Sequence, residues 1–511
     1  KIKKGSITTK IIKEAIKKKV AEDVLSISHI EDKIARFAQS YLFAHTPHFF
    51  DVYLDNIKKV KKNEVVSAAN SFFDFSRTVI TILKPVLTEK EKKKKIYSKN
   101  SLKPELITLK NGLKVILKED HSIPKTHAKL ISLGGLRNET SKNNGIGHFV
   151  SELLGKETKN HTKQQLQNLF EGNGAHFQAH VGNNTFYCNL ACLAEDFQTL
   201  LPIFKDAIFN TKFSESEIKE LKRLTLQWIS QRTDDWHSHG YYHFKKEFYQ
   251  NHPYQLNILG EEKTVSKFTK KDLESYYTSL FSTNEMVLSI VGDFDKKKTI
   301  SKLNALFGSL KIKKPEPKKL SRKSHTKMSN QHFDIPQNVG AIFMGFDGET
   351  FKNTKNCVKL DLLNTIVSGM AYPTGRLHQE LREKGLVYMV HATNQAGCET
   401  GHFLINALTS KKNINDVLKI INRELKQVQN APTSKKEFEQ AIAQMKFYYK
   451  DRASSTESLT LMMSIDELYG RGFNYYETIN KEIDNLDKKD IQITAKKYLK
   501  NAQLFTFSKK D

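Results

Sequence analysis

The sequence is poor in the residues that mark several classes of protein. Its four cysteines, Cys188, Cys192, Cys357 and Cys398, are too few for a disulfide framework and too scattered for a zinc ribbon. No run of 18 apolar residues occurs, so we expect no membrane span. No signal-peptide pattern follows Lys1, so compartment cannot be deduced from targeting.

Arginine is also scarce, since the 82 basic residues comprise 11 arginines and 71 lysines. Recognition of phosphates and bases depends heavily on the planar arginine fork. We therefore ascribe the net charge of +26 to a lysine-rich solvated surface and expect no nucleic-acid partner. Binding of nucleic acid is the weakest of three functional alternatives.

What the chain does have is length and internal similarity. At 511 residues it exceeds a single core. A capped helix followed by a β-rich strand occurs at 60–83, again at 268–291 and again at 486–507. We expect the repeating unit to be a domain of about 200 residues and the chain to open partway through one.

This repeat predicts the domain boundaries along the chain. They are a tail of an upstream domain at 1–86, a charged linker at 87–100, a first complete domain at 101–314, a second linker at 315–329 and a carboxy-terminal domain at 330–511. Strand-like runs such as Leu113–Leu117 alternate with long amphipathic helices such as Phe213–Ile229. The predicted class is α+β, each domain a mostly antiparallel sheet with helices packed on one face.

One short helix carries the most informative pattern. The segment Asn144–Leu154 has apolar residues at helical spacing, which predicts that one face packs inward. His148 and Glu152, four residues apart, are predicted to share the opposite face. An inverted-motif zinc peptidase needs His-x-x-Glu-His, with the glutamate as general base, whereas the order here is His-Phe-Val-Ser-Glu.

Further motifs before and after this helix extend the pattern over most of the chain. They are Gly134–Glu139, His252-Pro-Tyr254, Gly260-Glu261 and the run Gly375–Tyr388. In this order they resemble the carboxy-terminal half of the insulinase or pitrilysin family of zinc metallopeptidases, which includes the mitochondrial processing peptidases. The resemblance implies insulinase-like domains that enclose a peptide or unfolded polypeptide in a chamber.

Carried over residue by residue, the resemblance places the first zinc ligand at His148 and the second at Glu152. Ser151 takes the place of the general base, and Trp228 that of a downstream glutamate ligand. Serine is a poor proton acceptor at neutral pH, and tryptophan offers zinc no lone pair. We predict a degenerate motif with no metal bound; a hydrogen bond between His148 and Glu152 is the structural alternative.

The resemblance also implies that the half without zinc assists the other half. It assigns Arg382 and Tyr388 as donors to the substrate carbonyl and the oxyanion, with one residue fewer between them than in many members. The alternative is that Arg382 pairs with Glu380 or Glu383 and that Tyr388 belongs to the core.

The expected function is that of the non-zinc-binding half of a zinc-dependent endopeptidase. Zinc is expected in a complementary half, either upstream or on a partner subunit; a bacterial periplasmic or organellar location follows from the family alone. A non-catalytic structural or binding subunit is the alternative. The histidines His237, His239 and His243 are interpreted as solvated or partly packed rather than metal-binding.

Overall fold

The computed structural model describes residues 2–13, 15–16, 19, 30–74, 76, 78–79, 103–122, 124–281, 285–310, 320–370 and 373–510. The predicted linker at 87–100 and most of the predicted strand at 78–83 lie outside these residues.

The secondary structure of the described residues is as follows. The strands are β1 (Glu105–Thr108), β2 (Lys114–Glu119), β3 (Lys125–Leu133), β4 (His176–Val181), β5 (Thr185–Leu193), β6 (Met286–Gly292), β7 (Ser329–Asp334), β8 (Gly340–Asp347), β9 (Val387–Gln395), β10 (His402–Thr409) and β11 (Gln503–Ser508). The helices of the tail and first half are α1 (Ile30–Ala44), α2 (Phe49–Lys59), α3 (Lys62–Phe72), α4 (Ile146–Leu153), α5 (Lys163–Glu171), α6 (Ala194–Phe209), α7 (Glu215–Gln231), α8 (Trp236–Phe248), α9 (Glu262–Val265), α10 (Lys270–Leu280) and α11 (Lys296–Phe307). Those of the second half are α12 (Thr354–Ser368), α13 (Ile414–Asn430), α14 (Lys435–Arg452), α15 (Thr456–Leu468), α16 (Tyr475–Asp484) and α17 (Lys488–Tyr498).

The strands form two sheets with corresponding orders. The first runs β1-β2-β6-β3-β5-β4 and the second β7-β11-β8-β10-β9. In each sheet the last strand along the chain enters the middle, where it pairs in parallel with β2 or β7 and antiparallel with β3 or β8. The other pairs are antiparallel. The predicted α+β class with mostly antiparallel sheets is confirmed.

Each sheet packs one face against the helices of its own half. In the first half this core includes Leu130, Leu288 and the free cysteines Cys188 and Cys192. In the second half the corresponding core includes Ile405. Successive side chains of a strand point to opposite faces, so Leu288 and Ile290 of β6 join the core of the first half while Val287 and Val291 lie on the other face.

The opposite face of each sheet is covered by a helix from the other half. Phe244 and Phe248 of α8 pack against Phe343 on the second sheet, whereas Leu459 and Met463 of α15 pack against the first. A Cβ atom at Gly240 would lie 2.2 Å from the ring of Phe343, so glycine is required where α8 crosses this sheet. This exchange joins the two halves into one body, an arrangement that local sequence patterns do not specify.

Many of the exposed large apolar side chains among the described residues lie in the tail helices α1 to α3. Phe72 and Phe73 are 85% and 60% exposed. The helix α10, which the repeat aligns with α3, buries Leu273, Tyr276 and Leu280. None of the described helices is both long and apolar enough to cross a lipid bilayer.

Candidate functional site: the region around His148

The helix α4 is oriented by the motif that precedes it. Its N-cap is Gly145, whose φ of +96° favours glycine and whose Cβ would meet the carbonyl oxygen of Leu259 at 2.8 Å. Glu139 accepts hydrogen bonds from the backbone N–H of Gly145 at 2.8 Å, from that of Gly147 at 3.0 Å and from Asn144 Nδ2 at 2.9 Å. A carboxylate at this end also complements the helix dipole.

Burial raises the pKa of Glu139 to about 6, against the opposing effect of its hydrogen bonds. The run Gly134–Glu139 therefore has a structural role, which is to fix the start of α4. The sequence pattern located the motif but did not reveal this function.

The predicted apolar face of α4 is confirmed, because its members are all buried. They are Ile146, Phe149, Val150, Leu153 and Leu154. His148 is nevertheless buried, at only 7% exposed, whereas Glu152 is exposed. The reason is tertiary, since another helix covers His148.

That covering helix is α7. His148 Nε2 lies 3.5 Å from Thr225 Oγ1, and the indole of Trp228 meets the imidazole edge-to-face with ring centroids 5.9 Å apart. Burial lowers the pKa of His148 to about 4, so the ring is neutral at pH 7. The hydrogen-bond partner near this histidine is thus Thr225 rather than Glu152.

This arrangement does not fit a zinc ion. Ser151 donates its hydroxyl hydrogen to the carbonyl oxygen of His148 at 2.8 Å, and Trp228 fills the space beside the imidazole. Over the described ranges, no group of three or more histidine, cysteine, aspartate and glutamate side chains is arranged to hold a metal ion. A stable zinc site usually needs three or four such ligands.

Two other family motifs meet at the junction between the halves. Arg137 forms a salt bridge with Glu399 at 2.7 Å, and both side chains are largely buried. The hydroxyl of Tyr254 donates to Asn184 and lies 3.2 Å from Glu399, while the backbone N–H of Cys398 donates to it at 3.1 Å. Sequence reasoning missed Glu399, because no local pattern links it to partners more than 100 residues away.

The structure brings Arg382 and Tyr388 together. Arg382 ends a π-helical turn at His378–Arg382, is exposed, and donates from Nη1 to the backbone carbonyl of Tyr388. Glu380, its alternative partner, binds Lys384 instead at 2.7 Å. Tyr388 packs partly against the aromatic cluster beneath α8. The assignment of this pair as transition-state donors stays a prediction.

The histidines of α8 are partly packed. His239 and His243 stack edge-to-face with centroids 4.7 Å apart, and His237 Nε2 lies 3.1 Å from Asn406 Nδ2. Burial lowers the pKa of His243 to about 4. These contacts agree with the interpretation of these histidines as partly packed.

Comparison with known proteins gives the family. Residues 114–262 match the insulinase family (peptidase family M16), and residues 267–445 match the peptidase M16 inactive domain. An uncharacterized zinc protease from Rickettsia felis is 30% identical over 402 residues, which cover 76% of this chain and 93% of that protein. A protein from Schizosaccharomyces pombe named "probable mitochondrial-processing peptidase subunit beta" is 29% identical, over 41% of this chain and 46% of that protein.

Solved structures show the same fold. A protease from Helicobacter pylori aligns with a TM-score of 0.74 and 20% identity, covering 80% of this chain and 99% of that one. A peptidase M16 inactive domain from Pseudomonas fluorescens aligns with a TM-score of 0.74 and 19% identity, over 80% and 98% of the two chains. The motifs around α4, the two corresponding sheets and these matches lead to one conclusion: the chain belongs to the insulinase family, peptidase family M16.

Proposed function

We propose that this chain is the half of a zinc-dependent endopeptidase that does not bind zinc. The observation that carries the proposal is the state of α4, where His148 is buried beneath Trp228 and Thr225 while Glu152 faces solvent. The catalytic zinc then belongs to a complementary half that retains the full inverted motif. The names of the relatives, which are zinc proteases and processing peptidases, support the reaction class.

In this proposal the chain helps to bind the peptide substrate. The strand β4 is an outer strand of the first sheet and lies beside α4. An extended peptide of an oligopeptide or unfolded substrate can pair with the backbone of such an edge. Arg382 and Tyr388 would donate hydrogen bonds to the oxyanion that forms when the zinc-bound water of the other half attacks.

The exposed apolar residues of the tail fit the same architecture. We propose that 1–86 completes a domain of the same repeat, because α3 exposes Phe72 and Phe73 at positions where complete domains bury their equivalents. Matching strand orders in the two sheets support the repeat itself. The complementary half would cover these side chains.

The first experiment is metal analysis of the purified full chain. We expect far less than one zinc per chain after dialysis against micromolar zinc, and no change in His148→Ala. About one tightly held zinc per chain, lost in His148→Ala, would contradict the proposal.

The second experiment uses the enzyme assembled with its complementary half. Tyr388→Phe should lower kcat by about tenfold to a thousandfold with little change in KM, because loss of one oxyanion donor acts on the transition state. A change confined to KM would assign Tyr388 to substrate binding instead. Unchanged kinetics would remove it from the site.

A non-catalytic subunit that keeps the peptidase fold is the second candidate. Similarity to cytochrome b-c1 complex subunit 1 of Caenorhabditis elegans, 24% identical over 67% of this chain and 74% of that protein, favours it. The two candidates differ in the assembled complex: peptide hydrolysis that depends on this chain supports the peptidase half, and its absence supports the scaffold.

A further inference from the structure

The second half contains a partly open cavity of about 300 Å³ lined mainly by residues of α12, α14, α15 and α16. Its walls are rich in aromatic rings. They include Phe351, Tyr448, Tyr449, Tyr469, Tyr475 and Tyr476. Neither the zinc motif nor the Arg382 and Tyr388 pair contributes to this space.

Two carboxylates line the cavity, Asp361 and Asp466, and Asp466 is paired with Arg471. Asp361 of α12 is 9% exposed and accepts hydrogen bonds from Tyr449 Oη at 2.6 Å and Asn394 Nδ2 at 2.9 Å. A carboxylate has about four lone-pair positions, so these two bonds leave acceptor capacity. Among the described residues, no lysine, arginine or histidine forms an ion pair with Asp361, although a buried charge normally has one.

The other charged residues of the cavity either form an ion pair with each other or are exposed to solvent. Arg471 binds Asp466 at 2.5 Å and lies between the rings of Phe351 and Tyr475, with centroid distances of 5.3 and 5.0 Å. Arg452 is exposed and stacks on Tyr448, so water and salt screen its charge. Both arginines lower the pKa of Asp361 through space, but among the described residues neither forms an ion pair with it, so its oxygens retain acceptor positions.

We propose that this cavity binds a small organic cation with a guanidinium or primary ammonium group. Aromatic faces attract such cations through their quadrupoles, and Asp361 supplies the counter-charge and a hydrogen-bond acceptor. The cation is carried either by a basic side chain of a peptide or by a free amine. The site needs only this chain, so it is independent of the proposed peptidase function.

Burial opposes the charged form of Asp361 and raises its pKa to about 6, against hydrogen bonds from Tyr449 and Asn394. A bound cation favours the carboxylate and would lower this pKa again. Binding is therefore expected to strengthen as pH rises through about 6 and to weaken below it.

The test is calorimetric titration of the full chain with three probes. N-acetyl-arginine amide represents a peptide side chain, agmatine represents a free amine, and N-acetyl-citrulline amide has the shape of the first without its charge. We expect a dissociation constant on the order of 1 mM or tighter for at least one cation and at least tenfold weaker binding of the citrulline compound. The cation that binds more tightly identifies the source.

Two variants locate the binding. Asp361→Asn should weaken cation binding at least tenfold, while Asp416→Asn, which makes the same change on the exposed surface of α13, should leave it unchanged. If Asp361→Asn does not fold, Tyr448→Leu keeps apolar bulk, removes one aromatic face and should weaken binding severalfold. Three results would overturn the proposal. They are equal binding of the arginine and citrulline compounds, binding that neither variant changes, and no binding of either cation at concentrations up to about 20 mM.

Discussion

The regions around His148 and Asp361 occupy the same place in their halves. The helices α4 and α12 follow β3 and β8, the strands that pair with the last strand of each sheet, and each contacts a long helix, α7 or α14. In the first half an imidazole faces an indole and a hydroxyl. In the second half a carboxylate faces a phenol and lines a cavity.

The difference shows how one fold position accepts opposite polar groups. His148 is stabilised as the neutral base, because burial lowers its pKa to about 4. Burial raises the pKa of Asp361 to about 6, against the hydrogen bonds from Tyr449 and Asn394 and the positive charges of Arg471 and Arg452. Substitutions at and around both positions test whether burial sets the protonation of each group.

The largest effect is expected where α4 begins. Glu139→Ala removes the acceptor of three buried hydrogen bonds and should lower the free energy of unfolding by about 3 to 5 kcal/mol. Glu152→Ala, which removes an exposed carboxylate from the same helix, should change it by less than about 0.5 kcal/mol. Urea unfolding at pH 7 measures both, and similar values would mean that Glu139 does not hold α4.

The next effect is on how the free energy of unfolding depends on pH, which His148 and Asp361 are expected to change in opposite directions. Between pH 6.5 and about 4 the unfolded chain protonates His148 more readily than the folded chain, so stability from this residue is lost as pH falls. In the parent protein we expect the free energy of unfolding to decrease as pH falls from about 7 to about 4. His148→Gln should make this decrease smaller by about 3 kcal/mol, at about 1.36 kcal/mol per pKa unit. Urea titrations at several pH values between 4 and 7 provide the measurement.

For Asp361 the sign reverses. Its folded pKa of about 6 exceeds the ordinary value of 3.8, so between these values the folded state binds more protons and loses stability as pH rises. Asp361→Asn removes this contribution, so the free energy of unfolding should fall more steeply with decreasing pH than in the parent protein. A shallower fall in Asp361→Asn would contradict the buried environment assigned to this carboxyl.

A smaller effect separates two adjacent tyrosines of α14. Tyr449→Phe removes the hydroxyl that donates to the buried Asp361 and should cost about 2 kcal/mol at pH 7, and less at pH 5. Tyr448→Phe removes a hydroxyl whose contact with Arg452 at 3.4 Å is exposed, and should be neutral within about 0.5 kcal/mol. Equal costs would show that the Asp361 bond contributes nothing.

The smallest expected effect on stability comes from Trp228, whose indole packs against His148. Trp228 is 39% exposed, so Trp228→Ala should cost about 1 kcal/mol. It should also raise the pKa of His148 toward its ordinary value, since water would reach the imidazole. Phe447→Ala on α14 is the control for loss of an exposed ring. An NMR titration that leaves the His148 pKa at about 4 in Trp228→Ala would show that α7 covers it without the indole.

Local spacing made part of this site predictable. The apolar face of α4 followed from side chains three and four residues apart, and the order of motifs from Gly134 to Tyr388 identified the family. The role of Glu139 was not predictable, because its hydrogen bonds depend on a loop that folds back onto the helix start. The burial of His148 was not predictable, because the helix that covers it lies almost 80 residues downstream.

The family and the α+β class followed from residue identity and short-range periodicity, which the chain carries without its fold. Which side chains are enclosed depends on contacts between distant parts of the chain. The pair Asp361 and Tyr449 is separated by 88 residues, and α8 and α15 each cover the sheet of the other half. Burial and charge compensation are properties of neighbours in space, and they set the chemistry of both positions.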